Sequence, residues 1–211
     1  MRYLIVSAHP EPQSFNHSLV RAATTFLEAQ GHEVKHSDLY AMQWQPVSDR
    51  RNFSSVHNPD YYKQQLEELH ATEHDTFSAD IATEMDKLFW YDTLILQFPL
   101  WWFGMPAIMK GWVDKVFAMG KIYSSAKWFE TGSFVGKKAM VSITTGGPQR
   151  NYSEGGRHPS VEKLLLPIHH GILEFNGFTV ADPFVSWEVA HIADSEREQY
   201  IKQFQQRLVN L

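Results

Sequence analysis

Gln97-Phe98-Pro99-Leu100-Trp101-Trp102-Phe103-Gly104-Met105-Pro106 decides how this chain is read. An apolar run, Thr93–Gln97, precedes it and predicts a buried strand; a helical pattern, Pro106–Met119, follows it. Three consecutive rings at the carboxyl end of a strand are hard to place in a core. Successive side chains there point in different directions, so at least one must meet solvent or a ligand. In an open α/β sheet this edge is where ligands bind. A planar aromatic ligand stacked beside the rings would give them a purpose.

Working outward, strands and helices alternate. Tyr3–Ser7 reads as the first strand. Ser14 is placed to cap a helix that runs to about Gln30, where Gly31 stops it. Glu33–Asp38 alternates as a second strand. Leu39–Ala79 is a polar excursion with one helix near Tyr61–His70. Ile81–Trp90 is an amphipathic helix and Lys138–Thr144 a strand. Val161–Phe175 is a helix, Thr179–Pro183 a strand and Ser195–Leu211 a terminal helix. This alternation predicts a parallel sheet covered on both faces, in the doubly wound α/β class, as one domain over 1–211.

Composition narrows the partners. The 211 residues are 43% hydrophobic and 20% charged, an ordinary globular balance, with a net charge of −5 that gives no basic footprint for nucleic acid. Without cysteine there are no disulfides, thiolate metal sites or cysteine nucleophiles. No signal peptide and no apolar run of transmembrane length is visible, so a cytoplasmic protein without membrane insertion is expected.

Two more loops lie at predicted strand ends. The first, Ala8–Asn16, contains no glycine, so the glycine fingerprint of a Rossmann dinucleotide site is absent. It still delivers a helix N-terminus, where free N–H groups and the dipole suit a phosphate, beside the polar side chains of His9, Ser14 and Asn16. Plain capping by Ser14 is the alternative reading. The second, Thr144-Thr145-Gly146-Gly147, lets backbone approach a ligand closely, or is simply a strand-to-loop turn. Tyr152 and His158 follow in the glycine-rich loop Asn151–His158. A phenol and an imidazole near one edge can relay a proton or stabilise negative charge. His70-Ala71-Thr72-Glu73-His74 matches the inverted zinc-protease motif, but it sits in the polar excursion with no clear third ligand, so no metal is expected.

These residues resemble the flavodoxin-like NAD(P)H:quinone oxidoreductases, the DT-diaphorase family, over nearly the whole chain. The similarity runs through Ala8-His9, Ser14-Phe15-Asn16, Ser37–Met42, Gln97–Leu100, Trp102–Gly104, Pro106-Ala107-Ile108, Lys110-Gly111-Trp112, Ser142–Gly147 and Gly171-Ile172-Leu173. The resemblance implies a five-stranded parallel sheet with helices on both faces, FAD (or FMN), and a homodimer with the site at its interface. Hydride would pass from NAD(P)H through flavin N5 to a quinone in a ping-pong cycle. It would place His9, Ser14, Phe15 and Asn16 at the pyrophosphate and adenylate side, and Pro99, Leu100, Trp101, Trp102 and Phe103 along the isoalloxazine ring. Thr144, Thr145, Gly146 and Gly147 would meet the ring's polar edge. Tyr152 and His158 would form the charge relay, with Tyr152 also touching the flavin. Arg197, with Val189 and Ile201 nearby, would close over the adenine, and Tyr123 and Phe175 would line the quinone pocket with Trp102 and Phe103. Trp101, Lys63 and Ser125 depart from the animal enzymes' pattern, which bears on acceptor preference and pocket size. Two other implied readings are an ancillary subunit of a potassium-efflux system and an FMN-dependent azo- or nitroreductase.

Overall fold

The computed structural model describes all residues, 1–211. Six parallel strands form one sheet: β1 (Arg2–Ser7), β2 (Glu33–Asp38), β3 (Thr93–Pro99), β4 (Lys138–Thr144), β5 (Thr179–Val180) and β6 (Phe184–Ser186). Their order is β2-β1-β3-β4-β5, and β6 also pairs with β4. The six helices are α1 (Phe15–Ala29), α2 (Gln64–His74), α3 (Ala79–Trp90), α4 (Ala107–Val116), α5 (Val161–Ile168) and α6 (Asp194–Val209).

Strand alternation sends side chains to two cores. Tyr3, Ile5, Ile95 and Met140 pack with Leu19, Val20 and Leu27 of α1 and Phe204 and Leu208 of α6. Leu4, Val6, Leu94, Leu96, Val141 and Ile143 face the other way, onto Ile81, Met85 and Leu88 of α3, Met109 and Trp112 of α4, and Leu165 of α5. The second core contains one fully buried carboxylate. Glu84 accepts from the Trp112 indole at 2.9 Å and pairs with the Lys87 ammonium at 2.5 Å. Such a pair persists in a core only because its hydrogen bonds are filled.

β1, β2, β4, α1 and α6 match the sequence expectation closely. Five elements differ. α2 runs Gln64–His74, shifted from the expected Tyr61–His70, and α4 ends at Val116, three residues short of the expected Met119. β3 runs two residues further than Gln97, pairing Phe98 with Ile143 and Pro99 with Thr144, so the rings of Trp101–Phe103 begin at the very end of the strand. The single strand expected at Thr179–Pro183 is two, β5 and β6, so the expected fifth strand is split. Pro183 has no N–H for the ladder and sits in the break. The helix expected to reach Phe175 is α-helical only to Ile168, then widens to a π-turn over His169–Leu173 and tightens over Glu174–Asn176. Pro167 cannot donate to the Lys163 carbonyl, which ends regular winding there.

The strand order sets the site. From β1 the chain moves to β2 on one side and later to β3 on the other. The connections leaving β1 and β3 therefore part, and a crevice opens at the carboxyl ends between them.

Candidate active site

Loops after β1, β3 and β4 and the segment before α6 enclose a cavity of about 600 Å³ in that crevice. His9, Gln13, Ser14, Phe15, Asn16, Pro99, Leu100, Trp101, Thr144, Thr145 and Gly146 line it, with Val189, Ala190, Asp194 and Arg197 at the far side.

The β1–α1 loop is organised around α1's N-terminus. Ser14 Oγ accepts from the His17 N–H at 3.3 Å, which caps the helix and leaves the first-turn N–H groups of Phe15 and Asn16 open. His9 Nδ1 accepts from the Glu11 N–H at 3.0 Å, so in the neutral ring the proton sits on Nε2, as a donor. Burial lowers the pKa of His9 and favours that neutral form. Asn16 is buried and its amide is used inward: Nδ2 donates to Thr144 Oγ1 at 2.9 Å, and Oδ1 accepts from Gln97 Nε2 at 2.8 Å. The amide thus ties the ends of β3 and β4 to α1. Gln97 Oε1 has no partner despite full burial. The sequence assigns Gln97 no role, although a lone amide inside the apolar run Thr93–Pro99 is the kind of signal that marks such a hub.

The aromatic stretch is a strained turn. Trp101 and Gly104 pair as an antiparallel bridge, and Gly104 N donates to Trp101 O at 3.0 Å. Trp102 and Phe103 between them have φ of 49° and 62°. Both central residues are left-handed, the type I′ geometry that ordinarily takes Asn-Gly. Bulky side chains there cost about 1–3 kcal/mol each. The turn holds Trp102 out so far that it is 99% exposed, with Trp101 and Phe103 each at 42%. A core explanation of these rings is excluded.

On the β4 side, neither Gly146 nor Gly147 donates its N–H within the chain, and a Cβ built at Gly146 would meet nothing within 4 Å. Thr145 Oγ1 is spent on Gly147 O at 2.8 Å. Tyr152 lies against Gly147: a Cβ there would stand 3.6 Å from the phenol oxygen. Tyr152, His158 and Phe103 cluster, with centroids 5.1 Å apart for Tyr152–His158 and 5.0 Å for Phe103–His158. Trp187 backs Tyr152 at 5.3 Å. Burial raises the Tyr152 pKa, so the phenol keeps its proton. Sequence reasoning passes over Trp187, which lies at the end of β6 beyond the Pro183 break.

At the adenylate end of the sequence assignment, Arg197 Nε donates to Val189 O at 2.9 Å and its Nη1 meets Asp194 at 2.5 Å. Val189 lines the cavity, whereas Ile201 packs against the α1–α6 core. Lys63 stands at the start of α2 over the Tyr61 ring, outside the cavity. Tyr123 and Phe175 meet edge to face at 5.9 Å and line a separate cavity of about 320 Å³ that shares no residue with the first. Neither Trp102 nor Phe103 is among the residues that line this second cavity. His70 and His74 do share a face of α2, with ring centroids 4.2 Å apart, but no group of three His, Cys, Asp or Glu capable of holding a metal ion accompanies them.

A doubly wound parallel sheet with a ligand crevice between β1 and β3 defines the flavodoxin-like class. The chain belongs to the family described as having the flavodoxin-like fold, which matches residues 1–208. It is 43% identical to a ribosyldihydronicotinamide dehydrogenase-like protein of Penicillium crustosum, over 90% of this chain and 74% of that one. It is 39% identical to NAD(P)H dehydrogenase [quinone] 1 of Cavia porcellus, over 100% of this chain and 77% of the relative. Among solved structures, a Klebsiella pneumoniae protein described as a quinone reductase superposes with a TM-score of 0.93 at 39% identity, over 99% of this chain and 83% of the other.

Proposed function

We propose that this protein is an FAD-dependent NAD(P)H:quinone oxidoreductase. The observation that carries the reading is the strained turn at Trp101–Gly104, which holds aromatic faces open to solvent beside unpaired N–H groups at Gly146 and Gly147. Flat apolar surface next to backbone donors suits a heteroaromatic ring with one polar edge. The open first turn of α1 suits a phosphate attached to that ring. Val189, Ala190, Asp194 and Arg197 extend the cavity past the helix N-terminus. That extension favours a dinucleotide over a mononucleotide, which has no adenine end to hold. The names of the 43% and 39% identical relatives support the same chemistry.

A flavin, when bound, would supply two-electron redox chemistry between NAD(P)H and a quinone. The chain's residues do the rest. Trp101, Trp102 and Phe103 would hold its ring. The Gly146 and Gly147 N–H groups, unpaired in the chain, would donate to its polar edge without reorganising. Tyr152, whose pKa burial raises further, would give that edge another donor, and His158 beside it would supply or accept the proton that balances the hydride. Because both substrates need the same exposed ring face, they bind in turn. No helix is long and apolar enough to cross a membrane, and a reaction that consumes NAD(P)H suits the cytoplasm.

The split between the two cavities supports a homodimer. Tyr123 and Phe175 of one protomer would cover the exposed Trp102 and Phe103 of its partner, completing an acceptor pocket that one chain leaves open. Sedimentation should then give about twice 24.4 kDa; a fully active species of single-chain mass would refute the dimer. For the chemistry, anaerobic NADPH should bleach the flavin of the loaded protein and a naphthoquinone should restore it, with parallel-line steady-state kinetics. A flavin that NADPH and NADH both fail to reduce would refute the reading.

A further inference from the structure

The long excursion between β2 and α3 contributes α2, and α2 grips the turn that presents Tyr123. Glu68 is buried on α2, and its carboxylate accepts from the Met119 N–H at 2.7 Å and from Gln64 Nε2 at 2.8 Å. Gln64 Nε2 also lies 3.1 Å from Asp114 O in α4. The turn closes on itself through Gly120 N donating to Tyr123 O at 2.7 Å. Gly120 has φ +86°, and a Cβ there would stand 2.9 Å from a Leu69 methyl carbon of α2. These contacts fix the turn's backbone without further help.

One contact is left over. Gln65 Nε2 donates to the Tyr123 hydroxyl oxygen at 3.2 Å. The backbone is already held, so this bond adds direction more than support. A phenol has one proton. When its oxygen accepts from an amide, that proton is free to be offered elsewhere. Tyr123 faces the cavity it lines with Phe175.

We propose that Gln65 is a positioning residue that sets the Tyr123 hydroxyl as a hydrogen-bond donor to the carbonyl oxygen of the quinone acceptor. The inference rests on the reading of Tyr123 and Phe175 as walls of the acceptor pocket. The carbonyl oxygen gains negative charge as hydride reaches the quinone ring, and a donor aimed at it strengthens as that charge grows. Tyr123 keeps its proton throughout; the interaction is a hydrogen bond, with no transfer asked of it.

The test uses the flavin-loaded protein, reduced first and then mixed with either 1,4-naphthoquinone or ferricyanide, which has no carbonyl. Gln65→Leu removes the amide. Gln65→Glu keeps the shape but reverses the bond, because a carboxylate draws the phenol proton to itself. Tyr123→Phe removes the hydroxyl. Each should lower the second-order rate of reoxidation by naphthoquinone about 3–10-fold, the worth of one net hydrogen bond. Ferricyanide reoxidation and the melting temperature should stay as in the wild type. The Gln65→Glu defect should fade below about pH 4.3, where a protonated carboxyl donates again. Adding Gln65→Glu to Tyr123→Phe should cost nothing more. If Tyr123→Phe slows the quinone and neither Gln65 variant does, the inference fails while the pocket reading survives. If Tyr123→Phe changes nothing, the pocket reading itself fails. Equal losses with both acceptors would make Gln65 a structural residue and overturn the proposal.

Discussion

At the amino edge of the sheet, Asp92 accepts from the backbone N–H of Arg2 at 2.8 Å and from its guanidinium at 3.3 Å. Lys137 lies 4.6 Å over the Tyr91 ring and donates to the carbonyls of Leu88, Phe89 and Tyr91 that end α3. Lys138 reaches the carbonyl of Leu211. Phe134 is stacked on Phe178 at 4.7 Å and is fully buried. The carboxyl edge of the same strands is the reverse. Phe15, Asn16, Gly146 and Gly147 leave N–H groups open, Gln97 Oε1 is unpaired, and Trp102 and Phe103 are wound left-handed to stand in solvent. The amino edge is tied by charged side chains, although Tyr91 Oη and Thr93 Oγ1 lie buried there without partners. The carboxyl edge instead leaves backbone N–H groups and aromatic faces toward solvent, which is the physical mark of a site built for something outside the chain.

The comparison breaks most visibly if a large truncation at the closed edge disturbs the open one. Phe134→Ala removes a ring packed on all sides and should cost about 3–5 kcal/mol in urea unfolding. Flavin affinity of the folded variant should stay at the wild-type value. A parallel loss of affinity would show that the two edges are one cooperative unit.

At the open edge, His158→Gln should slow flavin reduction by NAD(P)H about 10²-fold while flavin remains bound. With Tyr152→Phe added, the loss should be less than the product of the two single losses, since the pair acts as a unit. Stopped-flow rates unchanged in both single variants would leave Gly146 and Gly147 as the charge stabilisers by themselves.

How far the sequence carried these edges differs as well. The strands and helices were legible because buried parallel strands read as apolar runs, and α1 has its capping Ser14 and terminating Gly31. The split β5–β6 edge and the π-turn after Pro167 were not, because a proline announces a break but not which side of it keeps pairing. The cavity lining at His9, Ser14, Leu100, Trp101, Thr144 and Gly146 was legible from loop position and from resemblance together. Position alone could not reveal that Asn16 turns its amide inward to Gln97 and Thr144. That arrangement depends on α1 and the ends of β3 and β4 meeting at one point. Nor could it reveal that Tyr123 and Phe175 line a cavity apart from Trp102, because distance between sequence-remote loops is a property of packing.

Gly146→Val sharpens the contrast at a single atom position. The added side chain enters open space, so unfolding free energy should change by less than about 0.5 kcal/mol. Flavin affinity should fall about tenfold or more, because the side chain fills the place of the bound ring edge; calorimetric titration reads both the constant and the stoichiometry. Unchanged affinity would move the ring away from this turn.

The smallest effect runs in the opposite direction. Trp102→Gly relieves a left-handed backbone and should stabilise the flavin-free protein by about 1 kcal/mol, while weakening flavin binding. A variant that is destabilised would mean that the turn is not strained.

If the open edge is built to hold a flavin dinucleotide, the protein should carry one. The most direct test is to denature the purified protein, release what is bound and identify it by chromatography, then titrate the stripped chain with FAD and with FMN. FAD should be found, one per chain, released without covalent attachment and rebound more tightly than FMN. A colourless protein whose spectrum changes with neither flavin would contradict this reading.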